Sequence, residues 1–115
     1  MRPVIYISGP ITKGDREHNF RQAAEAQEAL MHAGFAPINP MLTMAHPNAW
    51  EIPHDLWLAC DLEVVERCDA VLRLPGISVG ADEECMYAEQ CDVPVFNCPD
   101  TLENYFVGNG DIHAS

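Results

Sequence analysis

The chain has 115 residues, enough for one domain with a single hydrophobic core but too few for a second. Hydrophobic residues make up 48% of it and charged residues 21%, as in ordinary globular domains. Its 18 acidic residues outnumber the 6 Lys and Arg, which gives a formal net charge of -12. Because a nucleic acid polymer is bound through clustered cations, this balance excludes such a partner. It still allows a single small phosphate held by backbone N–H groups.

The chain starts with a strand-like segment rather than a basic, apolar leader, and it contains no run of about 18 apolar residues. We therefore expect a cytoplasmic protein without a membrane partner. The five cysteines form no C-x-x-C pair, and the histidines show no metal-ligand spacing. The sequence predicts reduced thiols, no metal and no cofactor.

Strand-like and helix-like segments alternate along the chain. Strands are predicted where short apolar runs end in turn residues, at 3–8, 35–38, 69–74 and 93–96. Helices are predicted where apolar residues recur at helical spacing, at 15–33, 54–67, 79–90 and 101–106. Gly34 follows the first helix as its expected C-cap. Residues 40–53 predict an irregular loop, residues 1–107 a single domain and residues 108–115 a flexible tail.

This alternation predicts a small doubly wound α/β domain, flavodoxin- or Rossmann-like, with a parallel sheet of four to five strands and helices on both faces. In such sheets ligands bind beyond the carboxyl ends of the strands, where the strand order reverses. Three loops are expected at that edge, at residues 9–15, 39–53 and 75–79.

The junction between the third strand and the third helix, from Leu74 to Glu84, is the most informative segment. Backbone N–H groups at the start of a helix are unpaired and can bind an anion or a sugar hydroxyl. Glu84 lies in the first turns of this helix, where the helix dipole favours the ionised form that a nucleophile needs. Taken alone, Glu84 would be interpreted as a solvated acid, as Asp82 and Glu83 are expected to be.

The first loop is another turn at the start of a helix. Gly9, Ile11 and Thr12 follow the first strand, and their backbone N–H groups, with the Thr12 hydroxyl, can cradle a phosphate. The loop is neither a Walker motif nor a G-x-G-x-x-G fingerprint. Standing alone, it predicts only a turn before an ordinary helix.

Three short motifs together carry a resemblance to a known family. They are Tyr-x-x-Gly from Tyr6, Asp61-Leu62 followed by Cys-Asp-Ala-Val from Cys68, and Ser-x-Gly-x-x-x-Glu from Ser78 to Glu84. In this combination the sequence resembles the nucleoside 2-deoxyribosyltransferase superfamily. It is nearest the branch of 2'-deoxynucleoside 5'-monophosphate N-hydrolases and related small proteins of phages and bacteria. The resemblance covers nearly the whole chain.

The resemblance implies a catalytic role for three residues. Glu84 matches the glutamate that attacks the anomeric carbon and forms a covalent glycosyl enzyme, as in retaining glycoside cleavage. Tyr6 matches the tyrosine that orients this glutamate, and Asp61 matches the aspartate often given the proton-donating role. The alternatives are a packed strand tyrosine and a helix-surface acid. Asp69, at the start of the third strand, is a secondary candidate for fixing a loop or contacting the ligand.

Ser78 bears on the identity of the substrate. The superfamily's transferases act on free nucleosides and typically carry an aspartate at this position, which binds the 5'-hydroxyl. A serine hydroxyl can donate to a phosphate that a carboxylate would repel, so Ser78 predicts a nucleoside 5'-monophosphate. Gly80 and the first loop would complete the phosphate site. The acidic Asp82 and Glu83 near the start of the helix oppose an anion there.

Aromatic residues of the irregular loop are candidates for contacting a base. His46 and Trp50 are expected to stack on it or cap it, since an aromatic face accepts any base without hydrogen-bond readout. Trp57 is expected in the core and His54 on the surface.

The preferred hypothesis is hydrolysis of the N-glycosidic bond of a (deoxy)nucleoside 5'-monophosphate, through a glycosyl intermediate on Glu84 that water resolves. Base exchange, with a second base as the acceptor, is the same chemistry and remains open. A non-catalytic domain that sequesters a nucleotide would share the phosphate loops without bringing Tyr6, Asp61 and Glu84 together. The resemblance also implies a homodimer or higher homo-oligomer, for which Tyr87 and Tyr105-Phe106 are expected to be exposed.

Overall fold

Four strands and four helices alternate along residues 1–112, the part of the chain that this computed structural model describes. The strands are β1 (Val4–Ser8), β2 (Ala36–Ile38), β3 (Ala70–Arg73) and β4 (Val95–Phe96). The helices are α1 (Arg16–His32), α2 (His54–Glu66), α3 (Val79–Gln90) and α4 (Pro99–Gly108). All bounds lie close to the predicted ones, because turn residues mark most element ends. Within the described residues, no helix is both long and apolar enough to cross a membrane.

The four strands are parallel and lie in the order β2-β1-β3-β4. Tyr6 on β1 is in register with Ile38 on β2 and with Val71 on β3. The predicted doubly wound α/β fold is therefore confirmed. The chain leaves β1 toward β2 on one side and later crosses to β3 on the other. The carboxyl ends of β1 and β3 thus flank the point where the strand order reverses.

Side chains of β1 alternate between two cores, one on each face of the sheet. Ile5 and Ile7 pack in a cluster with side chains of α1 and α4. Tyr6 packs on the opposite face, in a cluster with side chains of α2 and α3. Because successive side chains of a strand point to opposite faces, Ser8 shares the face of Tyr6. Two polar side chains of β1 therefore face α3.

Capping interactions fix both ends of α1 and the start of α3. The Asp15 side chain caps α1 by accepting a backbone hydrogen bond. At the other end of α1, Gly34 has a positive φ of 100°, and the N–H groups of Gly34 and Phe35 bond to carbonyls of the last turn. The Ser78 side chain caps α3 by accepting a hydrogen bond from the Ala81 N–H. These caps explain why both ends of α1 and the start of α3 lie so close to the predicted bounds.

The segments predicted as loop and tail are more regular than expected. The loop at residues 40–53 contains two 3-10 turns, Pro40–Ala45 and Ala49–Glu51. The predicted tail begins inside α4, and Ile112 packs against the core cluster beside α1. Residues 113–115 lie outside the described residues.

The aromatic side chains expected to be exposed for a partner differ from one another. Phe106 is buried, with its ring edge-to-face on Phe35, so its expected exposure is corrected. Tyr105 is exposed, and Tyr87 is half-buried. Phe106 is drawn inward because α4 turns its apolar face to the sheet.

Candidate active site

Three loops meet beyond the carboxyl ends of β1 and β3 and enclose a cavity of about 510 Å³. They are the three loops predicted at that edge, and α2 and α3 complete the walls. The volume is in the range of small-molecule sites. The residues proposed from the sequence that line it are Gly9, Ile11, Thr12, Trp50, Asp61, Ser78, Gly80 and Glu84. Among the described residues, no group of His, Cys, Asp or Glu is placed to hold a metal ion.

Glu84 is held on the cavity wall by two hydroxyl groups of β1. The Tyr6 hydroxyl donates to Oε2 at 2.6 Å, and the Ser8 hydroxyl donates to Oε1 at 2.8 Å. Glu84 is only 7% exposed, and Tyr6 and Ser8 are fully buried. Each carboxylate oxygen thus accepts one short, charge-assisted hydrogen bond. These bonds fix the rotamer of Glu84 and leave further lone pairs for a ligand.

Burial and polar contacts act in opposite directions on the Glu84 carboxyl. Burial raises the pKa of Glu84, whereas the hydrogen bonds from Tyr6 and Ser8 and the positive charge of Arg73 lower it. Burial and the nearby Glu84 raise the pKa of the Tyr6 hydroxyl, so this phenol keeps its proton and remains a donor. Three groups therefore favour the ionised carboxylate within a buried setting.

Asp61, on α2, lines the same cavity. Burial, and after it the negative charge of Glu84, raises the pKa of Asp61 to about 6, while His54 acts in the opposite direction. A carboxyl group with this pKa is protonated at mildly acidic pH and can donate its proton. Two carboxyl groups in different environments beside one cavity are what acid-assisted nucleophilic cleavage requires.

The first and third loops cross in close contact at two glycines. A side chain at Gly9 would place its Cβ 3.0 Å from the Cβ of Leu74. At Gly76 a Cβ would lie 2.7 Å from the Pro10 ring, and the backbone φ there is +119°. Both glycines are needed for the loops to approach this closely. Their contacts fix the relative position of β1, β3 and the start of α3.

The start of α3 and the first loop form a polar part of the cavity. The Ser78 hydroxyl accepts a hydrogen bond from the Ala81 N–H at 3.1 Å, so its own proton remains available to a ligand. Thr12, Lys13 and Gly80 line the same cavity. The hydroxyl groups of Ser78 and Thr12, the Lys13 ammonium group and the N-terminus of α3 are together suited to bind an anionic group.

The acidic residues expected to oppose an anion do not line the cavity. Neither Asp82 nor Glu83 contributes to its wall. The Asp82 carboxylate instead pairs with the Arg73 guanidinium at 3.1 Å. This pairing offsets the charge of Asp82 close to the polar part of the cavity.

The wall formed by the 3-10 turns and α2 carries two indole rings. Trp50 is 55% exposed, and the Arg16 guanidinium lies 4.6 Å from the centre of its ring. Trp57 is half-buried, and its indole N–H donates to the Ala49 carbonyl at 2.9 Å. Both indoles line the cavity, so Trp57 is a wall residue as well as a packing residue. Flat aromatic rings on this wall suit the face of a base.

Comparison with known proteins identifies the family of this chain. Residues 3–97 match the family model described as a domain of unknown function, DUF4406. The chain belongs to the DUF4406 family. The match includes the strand and both helices that supply Tyr6, Asp61 and Glu84. No curated protein was found to match this DUF4406 chain.

The DUF4406 chain has the fold of a solved enzyme structure. That structure is a 2-deoxyribosyltransferase from the psychrotolerant bacterium Bacillus psychrosaccharolyticus, described as a suitable biocatalyst for the industrial synthesis of antiviral and antitumoral nucleosides. The two chains are 16% identical, with a TM-score of 0.70, and the match covers 97% of this chain and 98% of the other. The fold implied by the sequence motifs is thereby confirmed.

Two residues proposed for the site of this DUF4406 protein lie elsewhere. Asp69 precedes β3 at the amino end of the sheet, where its carboxylate accepts a hydrogen bond from the Val4 N–H at 2.7 Å. Its proposed ligand contact is therefore corrected to a role in fixing the start of β1. His46 does not line the cavity, and its Nδ1 accepts a hydrogen bond from the Asn48 N–H in an exposed turn.

Two further site residues of the DUF4406 chain are not identified by the sequence analysis. Ser8 bonds directly to Glu84, and strand alternation is the signal that could have found it, because it puts Ser8 on the face of Tyr6. His54 is exposed, as expected, and it also lines the cavity. Its Cε1 lies 3.8 Å from the position of a Cβ built at Gly80. No local signal predicts this contact, because it depends on how α2 packs beside α3.

Proposed function

We propose that this protein hydrolyses the N-glycosidic bond of a (deoxy)nucleoside 5'-monophosphate, with Glu84 as the nucleophile and Asp61 as the proton donor. The observation that carries the proposal is the buried Glu84 carboxylate, bonded through both oxygens to Tyr6 and Ser8 beside an open cavity. Burying an ionisable group costs free energy, and a surface acid on a helix needs no such arrangement. Burial and perturbed ionisation at a cleft are typical of catalytic groups.

In the first step, a Glu84 oxygen forms a bond to the anomeric carbon of the sugar. The bond between this carbon and the base nitrogen breaks, and its electron pair leaves with the base. Asp61 gives its proton to the base as the charge develops there, so the base leaves neutral and Asp61 becomes ionised. The products are free base and a sugar phosphate esterified to Glu84.

In the second step, a water molecule attacks the anomeric carbon. Asp61 accepts a proton from this water, and the bond between the sugar and Glu84 breaks with its electron pair returning to the carboxylate. (Deoxy)ribose 5-phosphate leaves, Asp61 is protonated again and Glu84 is ionised again. Tyr6 and Ser8 stabilise the returning carboxylate through the same hydrogen bonds that held it before the reaction.

The 5'-phosphate is assigned to the polar part of the cavity. The free proton of the Ser78 hydroxyl and the N–H groups at the start of α3 suit a phosphate, and Lys13 supplies a positive charge. The ion pair between Asp82 and Arg73 reduces the repulsion expected from the sequence. These observations favour a nucleotide over a free nucleoside.

Base exchange is the second candidate function. The fold similarity to a protein named as a 2-deoxyribosyltransferase favours it. The first step is unchanged, and a second base then attacks the anomeric carbon in place of water. Adding a different free base to the reaction distinguishes the two, because only exchange produces a new nucleotide.

The test is a panel of canonical and modified nucleoside monophosphates, analysed by chromatography for free base. We expect base release from at least one of them. Glu84→Gln should still bind that nucleotide but release no base, because a neutral amide is a poor nucleophile. Glu89→Gln removes the same charge from an exposed acid at the other end of α3, which does not line the cavity, and should retain activity.

Full activity of Glu84→Gln would exclude the covalent mechanism. Nucleotide binding without base release across the whole panel would favour the alternative of a sequestering domain.

A further inference from the structure

Arg73 is a mostly buried arginine to which the proposed reaction assigns no role. It is the last residue of β3 and lies in register with Ser8 of β1. Side chains in register on neighbouring strands share a face of the sheet, so Arg73 is on the face where Ser8 meets Glu84. The side chain is 13% exposed, and arginine is rarely so buried unless it is paired.

The Arg73 guanidinium connects the third loop to the first turn of α3. It donates hydrogen bonds to the Leu74 carbonyl, to the Gly76 carbonyl at 2.9 Å and to the Asp82 carboxylate at 3.1 Å. Gly76 is itself packed against the Pro10 ring. The contacts are divided between two nitrogens of one planar group, a spread that the single nitrogen of a lysine does not offer. The position of α3 relative to β3 therefore depends on this side chain.

Arg73 is also a source of positive charge for Glu84, since it lowers the pKa of that carboxyl against the effect of burial. Glu84 also interacts electrostatically with Tyr6 of β1, with Asp61 of α2, and with Glu83 and Cys85 of α3. None of these groups is a cation. Lys13 and His54 line the same cavity as Glu84, but among the groups with the largest effects on the Glu84 pKa, Arg73 is the one positive charge.

We propose that Arg73 is a positioning residue, which holds the third loop against α3 and places a positive charge beside Glu84. Asp82 offsets part of that charge, because its carboxylate is paired with the same guanidinium at 3.1 Å. The role rests on the proposed function of Glu84 as a nucleophile. In that reaction the charge favours the ionised carboxylate before it attacks the sugar and again when it leaves.

The test is a titration of Glu84 in the free protein. The protein carries glutamate labelled with 13C at the side-chain carboxyl, and NMR monitors the chemical shift of that carbon as the pH is changed. Glu84→Gln identifies the signal by its absence. In Arg73→Gln, we expect the Glu84 titration to move to higher pH, because the stabilising charge is gone. Arg67→Gln is the matched control. It removes the same charge from an exposed arginine at the end of α2 and should leave the Glu84 titration unchanged.

An unchanged Glu84 titration in Arg73→Gln, or an equal displacement in Arg67→Gln, would overturn the proposal. If Arg73→Gln does not fold, Asp82→Asn decides the question. It is compared with Glu83→Gln, which removes a negative charge that acts directly on Glu84 but is not paired with Arg73. Loss of a like charge alone moves the Glu84 titration to lower pH in both variants, and more in Glu83→Gln. Release of Arg73 should make the displacement larger in Asp82→Asn, and an equal or smaller displacement there would overturn the proposal.

The titration needs no substrate, so it can succeed or fail independently of the proposed function. A displaced titration without base release from any monophosphate would contradict the enzymatic function alone. Base release with an unchanged titration would contradict the role of Arg73 alone. With an active substrate, the acid side of the kcat/KM profile should move to higher pH in Arg73→Gln, and a profile identical to the wild type would also count against the role.

Discussion

The two walls of the cavity are built in different ways. The Glu84 wall consists of regular structure, where β1 meets α3 and the hydroxyl groups that touch the carboxylate are fully buried. The opposite wall consists largely of two 3-10 turns, and its Trp50 ring is more than half exposed and stacked under Arg16. One wall is fixed by the sheet, and the other by single anchors such as the buried Met41 and Ala49 and the bond from the Trp57 indole to the Ala49 carbonyl.

This difference separates the reaction from the recognition of the base. A nucleophile must be held in one geometry, which packed strands and helices provide better than loops do. Stacking on an aromatic ring tolerates movement and accepts different bases. We therefore expect substitutions on the Glu84 wall to lower kcat, and substitutions on the 3-10 wall to raise KM or change which base is accepted.

After the complete loss of base release in Glu84→Gln, the largest effect is expected at Asp61, the residue of α2 assigned to proton donation. Asp61→Asn should lower kcat by about 10³-fold, the usual range for a general acid, with little change in KM. In the wild type, Asp61 must be protonated, so kcat/KM should fall as the pH rises through its pKa of about 6. Glu84 must be ionised, so kcat/KM should also fall toward lower pH, starting above the usual range of a glutamate because burial raises its pKa.

A pH–rate profile of both proteins checks this assignment. The decline above pH 6 should be absent from Asp61→Asn, whereas Glu63→Gln, an exposed acid of the same helix, should keep the profile of the wild type. A decline that persists in Asp61→Asn would show that another group supplies the proton.

The next effect is expected at Tyr6. Tyr6→Phe removes one charge-assisted hydrogen bond from Glu84 and should lower kcat roughly 10- to 100-fold, with KM nearly unchanged. Tyr105→Phe removes a hydroxyl from an exposed ring and should have no effect on either constant. Steady-state kinetics on the substrate found by the monophosphate panel measures both. A change confined to KM would place Tyr6 in substrate binding and contradict a fixed Glu84 wall.

A smaller effect is expected on the choice between nucleotide and nucleoside. Ser78→Asp keeps a good N-cap for α3 but introduces a carboxylate where the phosphate is assigned. The preference for the 5'-monophosphate over the nucleoside should fall by at least about tenfold, through charge repulsion. Ser78→Asn caps the helix without adding charge and serves as the control. If the Asp and Asn variants prefer the nucleotide over the nucleoside equally, residue 78 does not select the ligand by its charge.

The smallest effect is expected on the 3-10 wall. Trp50→Ala should raise KM about fivefold by removing a stacking surface, and it should leave kcat near the wild-type value. Trp50→Phe should retain most of the affinity, since it keeps an aromatic face. A fall in kcat comparable to that of Tyr6→Phe would show that the 3-10 wall also affects the chemical step, which contradicts the proposed separation of reaction and base recognition.

The fold could be predicted from local signals because the elements have clear ends. Gly34 closes α1 with a positive φ, as expected from the sequence, and the Ser78 side chain caps α3 directly before its predicted start at residue 79. The pairing of Tyr6 with Glu84 is different, since 78 residues separate the two side chains. Periodicity predicted that both lie near the same sheet edge, and only the resemblance to a family predicted that they touch.

The residues that sequence reasoning misplaced show where such reasoning stops. Asp69 lies at the start of a strand, which in a parallel sheet is the end away from the ligand, and this rule was enough to exclude it. For His54 and Trp57, no rule of this kind predicts a place on the cavity wall. They reach the cavity because α2 packs beside α3, and that packing depends on the summed contacts of two helices distant in sequence.

The alternation of β1 also has a consequence for the folding of the chain. A slip of one residue in its pairing would bring Ile5 and Ile7 beside Glu84 and turn the Tyr6 and Ser8 hydroxyls into the apolar layer under α1. Three buried polar groups would then lose their partners, at a cost of about 1–3 kcal/mol for each. The hydroxyl groups that hold the carboxylate therefore also destabilise a misaligned sheet. A molecule with the correct strand pairing has, by that pairing, already placed these hydroxyl groups beside Glu84.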